Sequence, residues 1–468
     1  MMSKHTVTSL DKQTQKAVPS LRGMPFLGVL PDFMKDPLEV ALKAQQLGGI
    51  VRLPVGPAQI YLLSDPKLIK HVLEDRSDIY TRDSFTRNIV SVFSGSSIFT
   101  SDGAVWQRKR TLLEPAYSHE MIAVLAKIVT DATTTMLQRW EDFAHKGTGF
   151  DAYVELKRLA SEIVCRMSVG SNLSHHDVET LTHCIDTAQD WIDNHRKNFI
   201  TLPINIPTPR NRAMRQAMQT FDSLVYRAID EQKRHEKQGE SLISLMLQMR
   251  DATTGEGPTN QDIRDEIAQG LSGYHQIAYA LAWTIYSLTQ YEAPAEKVRS
   301  EVVKVLGGRV PTATDFSQLT YTKMFVDETL RLYPVNWAIV RLATEDDVID
   351  GYPIRAKAYI FPNCYSVHRD PMIWNRPDSF EPERFAPDQR QNIPPYAYLP
   401  FSGGPRRCLG YHIGLLTLPL VIAMISQTFQ IRLAKDHPPL EREIALVLLR
   451  PRNGVHVTLH KLPETIQQ

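Results

Sequence analysis

Apolar residues recur at helical spacing through most of this chain. Leu68, Ile69, Val72 and Leu73 share one face, and Asp65 and Pro66 just before them form a helix start. Residues 102–117 read as a helix. From 120 to about 248 the pattern is mostly helical, interrupted at 191–209 by Phe199, Ile200 and several prolines, and 211–237 returns to amphipathic helix. Residues 319–333 predict another helix, stopped by Pro334. Strand-like alternation is confined to short stretches. Residues 50–55 and 59–63 around Gly56 and Pro57 predict a hairpin. Residues 348–350 and 359–361 predict a second small sheet. Residues 430–433 and 455–459 predict late strands, with Asn453 and Gly454 turning between elements. Residues 81–101, with Ile89, Val90, Val92, Phe93, Ile98 and Phe99, have a mixed pattern and read as a long loop, the kind that usually carries function. Residues 372–400, rich in Pro and Asp, predict coil. The fold class is mainly α with small β-sheets.

The longest periodic segment starts at Pro258, Thr259 and Asn260, with Asp262 in the first turn, where the helix dipole favours a carboxylate. Ile263, Ile267 and Leu271 recur every four residues. The pattern runs on through Ala278, Leu281, Ala282 and Ile285 to about Gln290, and Pro294 stops it. This predicts one helix of about thirty residues, roughly 45 Å long, which crosses the middle of a domain. Gly270, Ser272 and Gly273 leave a gap halfway along it. A glycine there costs about 1 kcal/mol, so the gap serves either tight helix packing or the close approach of something flat or small.

Size and charge narrow the function classes. The 468 residues show no Gly/Ser linker, charge block or internal repeat, which predicts a polar tail (1–18) and a single domain (19–468). With 53 basic against 52 acidic residues there is no general pull toward nucleic acid or an anionic membrane. Four cysteines, Cys165, Cys184, Cys364 and Cys408, are no disulfide framework in a chain this long and point to a reducing cytoplasm. The N-terminus is polar through Ser20, without a signal-peptide core. No uninterrupted apolar run approaches the ~20 residues a membrane helix needs. The expectation is a soluble, cytoplasmic protein with no nucleic acid and no membrane as partner.

The candidate chemistry centres on 401–410. Two glycines and a proline just before Cys408 enforce a tight bend, and the apolar run 415–425 after it reads as a buried helix. Cys408 would then sit at a helix N-terminus beside Arg406 and Arg407, where a thiolate is favoured and could ligate a haem iron from one side. A small buried cysteine is the plain alternative. Zinc is a weaker rival, because no Cys lies at C-x-x-C distance and His412 would be one partner only. Trp106 and Arg110, four apart, share a helix face suited to a carboxylate or simply to solvent. Arg108 and Lys109, on other faces, could meet an acidic partner or be solvated. Glu328 and Arg331, three apart, could form an ordinary surface ion pair.

Phe401, Gly404, Arg406, Cys408 and Gly410 fill every place in F-x-x-G-x-R-x-C-x-G. That is the haem-loop signature of the cytochrome P-450 family, which the chain resembles over nearly its whole length. Trp106 and Arg110 match the family's propionate-binding W-x-x-x-R helix. Glu328 and Arg331 match its buried E-x-x-R pair, joined by Arg384 of the Pro382, Glu383, Arg384, Phe385 segment in a structural role. The segment 335–343 matches one that gives a propionate-binding arginine, here Arg341, and touches substrate. Residues 81–101 correspond to a substrate cover and 191–209 to a mobile lid. The resemblance implies the cytochrome P-450 fold, of the soluble bacterial type, and haem b with Cys408 as iron ligand. Trp106, Arg110, Arg341 and Arg406 would hold the propionates, and Phe401, Gly404 and Gly410 would shape the loop. It also implies oxidation of a small organic substrate with O2 and two electrons. These would come from a separate ferredoxin or flavodoxin-type donor with an NAD(P)H-dependent reductase, since no flavin or iron–sulfur segment is seen in the chain. Val92, Phe93, Phe99, Trp191, Leu271, Tyr274, Asn336, Trp337 and Leu446 are the substrate-pocket candidates, a mixture suited to an aromatic or amphipathic molecule.

At one place the chain departs from the family. There the mid-helix gap, Gly273 here, is followed by an acid and then a threonine that deliver protons. This chain has His275 and Gln276, with Ile277 after them. Imidazole, with a reference pKa of ~6.5, can donate near neutral pH; glutamine can order water but supplies no proton. Three activities stay open: hydroxylation with His275, water or substrate replacing the acid; one-electron oxidation of phenol-like aromatics with radical coupling and no oxygen insertion; and a haem-thiolate protein that binds or senses a ligand without turnover.

Overall fold

A computed structural model describes residues 16–462, apart from 57, 118–121, 171, 198–201, 236–240, 252–253 and 446. The pocket candidate Leu446, and Phe199 and Ile200 of the lid, lie outside the described residues. In chain order come α1 (Leu30–Lys35), α2 (Pro37–Gln45), β1 (Ile50–Val55), β2 (Ala58–Leu63), α3 (Pro66–Lys70) and β3 (Tyr80–Thr81). Then follow α4 (Ser84–Ser94), α5 (Gly103–Leu113), α6 (Ile122–Lys146), β4 (Phe150–Asp151), α7 (Ala152–Ser168), α8 (His175–Lys197), α9 (Pro209–His235) and α10 (Leu242–Gln248). Next are α11 (Asn260–Leu271), α12 (Tyr274–Gln290), α13 (Glu292–Leu306) and α14 (Thr320–Leu332). Strands β5 (Arg341–Ala343), β6 (Asp347–Ile349), β7 (Tyr352–Ile354) and β8 (Tyr359–Pro362) lead to α15 (Cys364–Val367), α16 (Pro387–Arg390) and α17 (Tyr411–Thr428). The last elements are β9 (Phe429–Leu433), β10 (Arg442–Ala445), β11 (Leu448–Pro451) and β12 (His456–Lys461). These form two compact units. One holds the residues up to Asp83, Ala338–Asn375 and Pro394–Arg406; the other holds Ser84–Trp337, Arg376–Ile393 and the residues from Arg407 on.

The first unit is built on a five-stranded sheet of order β1-β2-β8-β5-β3. The hairpin forms as expected, with Ile50 opposite Leu63 and Val55 opposite Ala58. β8, expected in a second sheet, instead runs parallel to β2 in this one, while β6 and β7 pair only with each other. Local pattern marks β8 as a strand, but its partner is chosen by burial. Leu62, Leu63 and Ile360 each disappear from solvent in the paired sheet. Ile50, Ile69, Val72, Tyr80, Ile339 and Val367 complete that core.

The second unit is helical. Its core joins Phe93, Phe221, Ile229, Ile263, Ile267, Leu271 and Tyr274. β4, β12 and β9 form a three-stranded sheet and β10 pairs with β11. Two expectations are corrected. Residues 84–94, read as part of a long loop, form α4. Its Phe93 is buried against the Phe221 ring, 5.0 Å away, and a helix delivers that side chain while satisfying its own backbone. The single long helix is two, α11 and α12, separated at Ser272 and Gly273. Among the described residues α17 alone is long and apolar enough to cross a membrane, but 72% of it is buried inside the protein, as in a core helix.

Candidate functional site

Crowding around the loop before α17 explains its glycines. Gly404 has φ +67°, and a Cβ there would stand 1.8 Å from the Leu73 carbonyl oxygen; at Gly403 it would meet the Tyr396 ring at 2.6 Å. Gly410 is the N-cap of α17, so Cys408 sits just ahead of the helix N-terminus, as the sequence predicts. The cysteines divide sharply. Cys165, Cys184 and Cys364 are buried, whereas Cys408 is exposed. Burial pushes the thiols of Cys184 and Cys364 up to about 11 and about 12, and that of Cys165 higher still. These three are poor metal ligands near neutral pH. Among the described residues no three His, Cys, Asp or Glu side chains cluster as a zinc site would require.

α5 reaches Arg407, which lies in the same unit as this helix. Arg110 Nη1 donates to the Arg407 carbonyl (2.7 Å), and Nη2 donates to the Glu114 carboxylate (3.1 Å), which shows the group binding the kind of partner a propionate offers. Trp106 lies one turn earlier, half-buried. An exposed thiol, a guanidinium tied to the thiol's own loop and an indole beside it fit a haem. Arg341, on β5, and Arg406 are buried in the first unit, with Phe401 half-buried there. Arg108 is exposed and Lys109 largely covered, and both pair with acids of their own unit. Arg108 Nε bonds Asp251 (2.7 Å), and Lys109 Nζ reaches Asp262 (3.4 Å) and Glu266 (3.0 Å). Glu266 also accepts the Ile98 N–H (3.1 Å) and Asp265 the Ser96 N–H (2.8 Å). Acids on α11 therefore clamp the segment that follows α4. No sequence motif marks this clamp.

Glu328 and Arg331 are wholly buried on α14. Arg331 grips the carboxylate with Nε (2.7 Å) and Nη2 (2.8 Å) and donates to the carbonyls of Pro377 (2.7 Å) and Ser379 (3.0 Å). Glu328 accepts the Glu381 N–H (2.7 Å), and Arg384 Nε lies 3.5 Å from it. The Arg331 guanidinium is spent on protein groups, as a structural role requires.

The helix break is built by its own side chains. The Ser272 hydroxyl bonds the Ala268 carbonyl (2.9 Å), a back-bond that bends helices, and the Gly273 N–H turns to Gly270 (3.0 Å). The Gln276 amide faces the carbonyls of Ser272 (3.0 Å) and Gly273 (3.1 Å), and hydrogen bonding there assigns its nitrogen to that side. Its side chain thus adds a donor at the break, where the Gly273 carbonyl also accepts the Ile277 N–H (3.4 Å). His275 points elsewhere, into packing against α7 and α8. Its side chain is 7% exposed, and Nε2 stands 3.6 Å from Asp186 Oδ1 on α8. Among the described residues neither ring nitrogen has a hydrogen-bond partner. Burial drives the imidazole down to about 4, against the pull of Asp186 and with the push of Lys157 and Arg450. His275 is therefore neutral at pH 7. The expectation of a ready donor near neutral pH is corrected: this ring can pass a proton on but does not hold one in reserve.

Of the remaining pocket candidates, Phe93, Trp191, Leu271, Tyr274 and Trp337 are buried, while Val92, Phe99 and Asn336 are half-buried. The Phe93 ring, the Phe221 ring and the Arg264 guanidinium pack against one another. The Trp191 indole donates to Asn211 (2.8 Å), and Tyr274 gives its hydroxyl to Asp186. Asn336 bridges to Leu448. Asp186, which no motif announces, is the residue that sequence reasoning missed.

A sequence model of the cytochrome P450 family matches residues 18–458. The chain is 28% identical over 441 residues to Protein LUTEIN DEFICIENT 5, chloroplastic, of Arabidopsis thaliana, covering 88% of this chain and 72% of that one. It is 27% identical over 417 residues to cyclooctatin synthase of Streptomyces melanosporofaciens, covering 88% and 89%. It is 25% identical to cyclooctat-9-en-7-ol 5-monooxygenase of the same organism, covering 87% and 88%. The fold is that of the cytochrome P450DA heme domain, with a TM-score of 0.86 over 97% of this chain and 99% of that one, at 22% identity.

Proposed function

The chain belongs to the cytochrome P450 family, and we propose that it is a monooxygenase that hydroxylates a small organic molecule, with Cys408 as the haem ligand and an altered proton route. Membership brings haem with a cysteine thiolate on iron, O2 and substrate as reactants, and electrons from a redox partner. The observation that carries the assignment of Cys408 is its exposure in the signature loop, while the other three thiols are buried and held protonated. A ferredoxin or flavodoxin-type protein is the donor we favour, and an aromatic or amphipathic molecule the substrate. Hydroxylation is favoured over ligand sensing by the monooxygenase among the relatives.

When bound, the haem supplies the redox chemistry, with the thiolate donating electron density to iron. The chain supplies the rest. The helix N-terminus after Gly410 stabilises the thiolate. Trp106, Arg110, Arg341 and Arg406 are the groups we assign to the propionates. Glu328, Arg331 and Arg384 hold the 376–384 segment in place. Gln276 keeps the helix open at Gly273, and neutral His275 takes a proton on one ring nitrogen and releases one from the other.

The second reading is oxidative coupling of phenols, favoured by one observation: the acid–alcohol pair is absent and its replacement is neutral at pH 7. Turnover under isotopically labelled O2, with a donor system and a substrate found by its spin-state shift, separates the readings. Label in the product is expected. An unlabelled dimer would establish coupling, and binding without any product would establish a sensor. Cys408→Ala should abolish the red-shifted Soret band of the reduced, CO-bound protein; retention of that band would overturn the ligand assignment.

A further inference from the structure

Two hydroxyl- and nitrogen-bearing rings of α12 converge on one carboxylate of another helix. Tyr274 donates its hydroxyl to Asp186 Oδ1, and His275 Nε2 stands 3.6 Å from the same oxygen. Lys157 Nζ, on α7, holds Oδ2 at 2.7 Å. The carboxylate is 29% exposed and the imidazole 7%, so Asp186 lies between solvent and a buried ring. Packing alone does not account for this ring: both its nitrogens are buried without a hydrogen-bond partner among the described residues. A side chain that only filled space would be better served by carbon there.

We propose that Asp186 is a positioning residue for His275, supplying from α8 the acid that α12 lacks at the proton-delivery position. From 3.6 Å away its charge stabilises the imidazolium each time His275 carries a proton and draws Nε2 toward it in that state. This rests on the reading that His275 relays protons. The groups facing the ring support it: Lys157 and Arg450, on α7 and β11, both disfavour a proton on His275, and among the described residues Asp186 is the charged group that favours one. The aromatic neighbours are Tyr274 and Tyr279 on its own helix, with Tyr153 of α7 stacked on Tyr279. A neutral imidazole without Asp186 would have no counter-charge for its transient protonated form.

The test uses the haem-loaded, full-length protein. Histidine-labelled NMR of the reduced, CO-bound form reads the titration of His275 directly. Asp186→Asn should lower its midpoint by about one unit, the size of an ordinary charge-partner shift. Tyr274→Phe releases Oδ1 to His275 and should raise the midpoint. In turnover, Asp186→Asn should slow product formation by about 10- to 100-fold, raise the solvent isotope effect and divert electrons to peroxide, while the CO spectrum and the substrate spin shift stay unchanged. Asp186→Glu should restore most of the coupling. Unchanged midpoints in both variants, or wild-type peroxide yield in Asp186→Asn while His275→Ala leaks peroxide, would overturn the role of Asp186 and leave the relay standing. Wild-type coupling in His275→Ala would remove the relay and this inference with it. If Asp186→Asn does not fold, the direction of the Tyr274→Phe shift still decides.

Discussion

At the scale of single residues, His275 ties stability to pH. Its folded-state value of about 4 lies below the ordinary 6.5. Above pH 6.5 both folded and unfolded chains carry the neutral ring, and nothing is lost. As pH falls from 6.5 toward 4 the unfolded chain takes up its proton first, so stability drains away across that window. The gap amounts to about 3 kcal/mol. His275→Phe, which keeps a ring of similar bulk and cannot protonate, should show a flatter acid limb, its urea midpoint falling less than wild type between pH 7 and pH 4. Parallel acid limbs would mean that the ring is not desolvated. The same burial leaves His275 neutral at pH 7 and quick to release any proton it takes up, so one side chain links a stability cost at low pH to the proposed proton route.

At the scale of elements, the knot on α14 decides whether 376–384 holds its shape. Arg331 hydrogen-bonds the Glu328 carboxylate with two nitrogens and donates to two backbone carbonyls. Arg331→Ala leaves the Glu328 charge buried with only Arg384 near it. Removing one partner of such a pair costs about 3–5 kcal/mol. The expected outcome is a large fall in melting temperature and little soluble, haem-loaded protein, read by thermal denaturation and haem content. A stable, haem-replete but inactive variant would instead give Arg331 a direct part in the chemistry. The break between α11 and α12 belongs to the same scale. Three small residues weaken the helix, but the side chains of Ser272 and Gln276 give the freed backbone its partners.

At the scale of the molecule, the two units are threaded rather than strung. The chain passes between them at Asp83, Trp337, Asn375, Ile393 and Arg406, so neither is a continuous piece of sequence. Within the second unit, α6 and α12 pack against α17 and the late strands, and Trp283 of α12 donates to the Leu449 carbonyl (3.0 Å). A fragment of residues 84–337 would expose those faces to water. Expressed alone it should aggregate or melt without a cooperative transition in far-UV circular dichroism. A soluble fragment with a sharp transition would show that α17 and the strands are dispensable to this core.

What the sequence determined by itself is what depends on near neighbours. The hairpin β1–β2 follows from alternation around a turn, α5 and α14 from apolar spacing, and the bend before Cys408 from the consecutive Gly403, Gly404 and Pro405. The cofactor-loop residues were legible because one loop must shape one ligand, which keeps them within ten positions. Tertiary structure decided what depends on partners far along the chain. It paired β8 with β2, folded 84–94 into a helix around Phe93, and tied Lys109 to α11. It also brought Asp186 beside His275 and set that imidazole at about 4. The physical reason is that burial and charge act through space: desolvation and Coulomb attraction depend on distance in the fold, and spacing along the sequence carries no record of either.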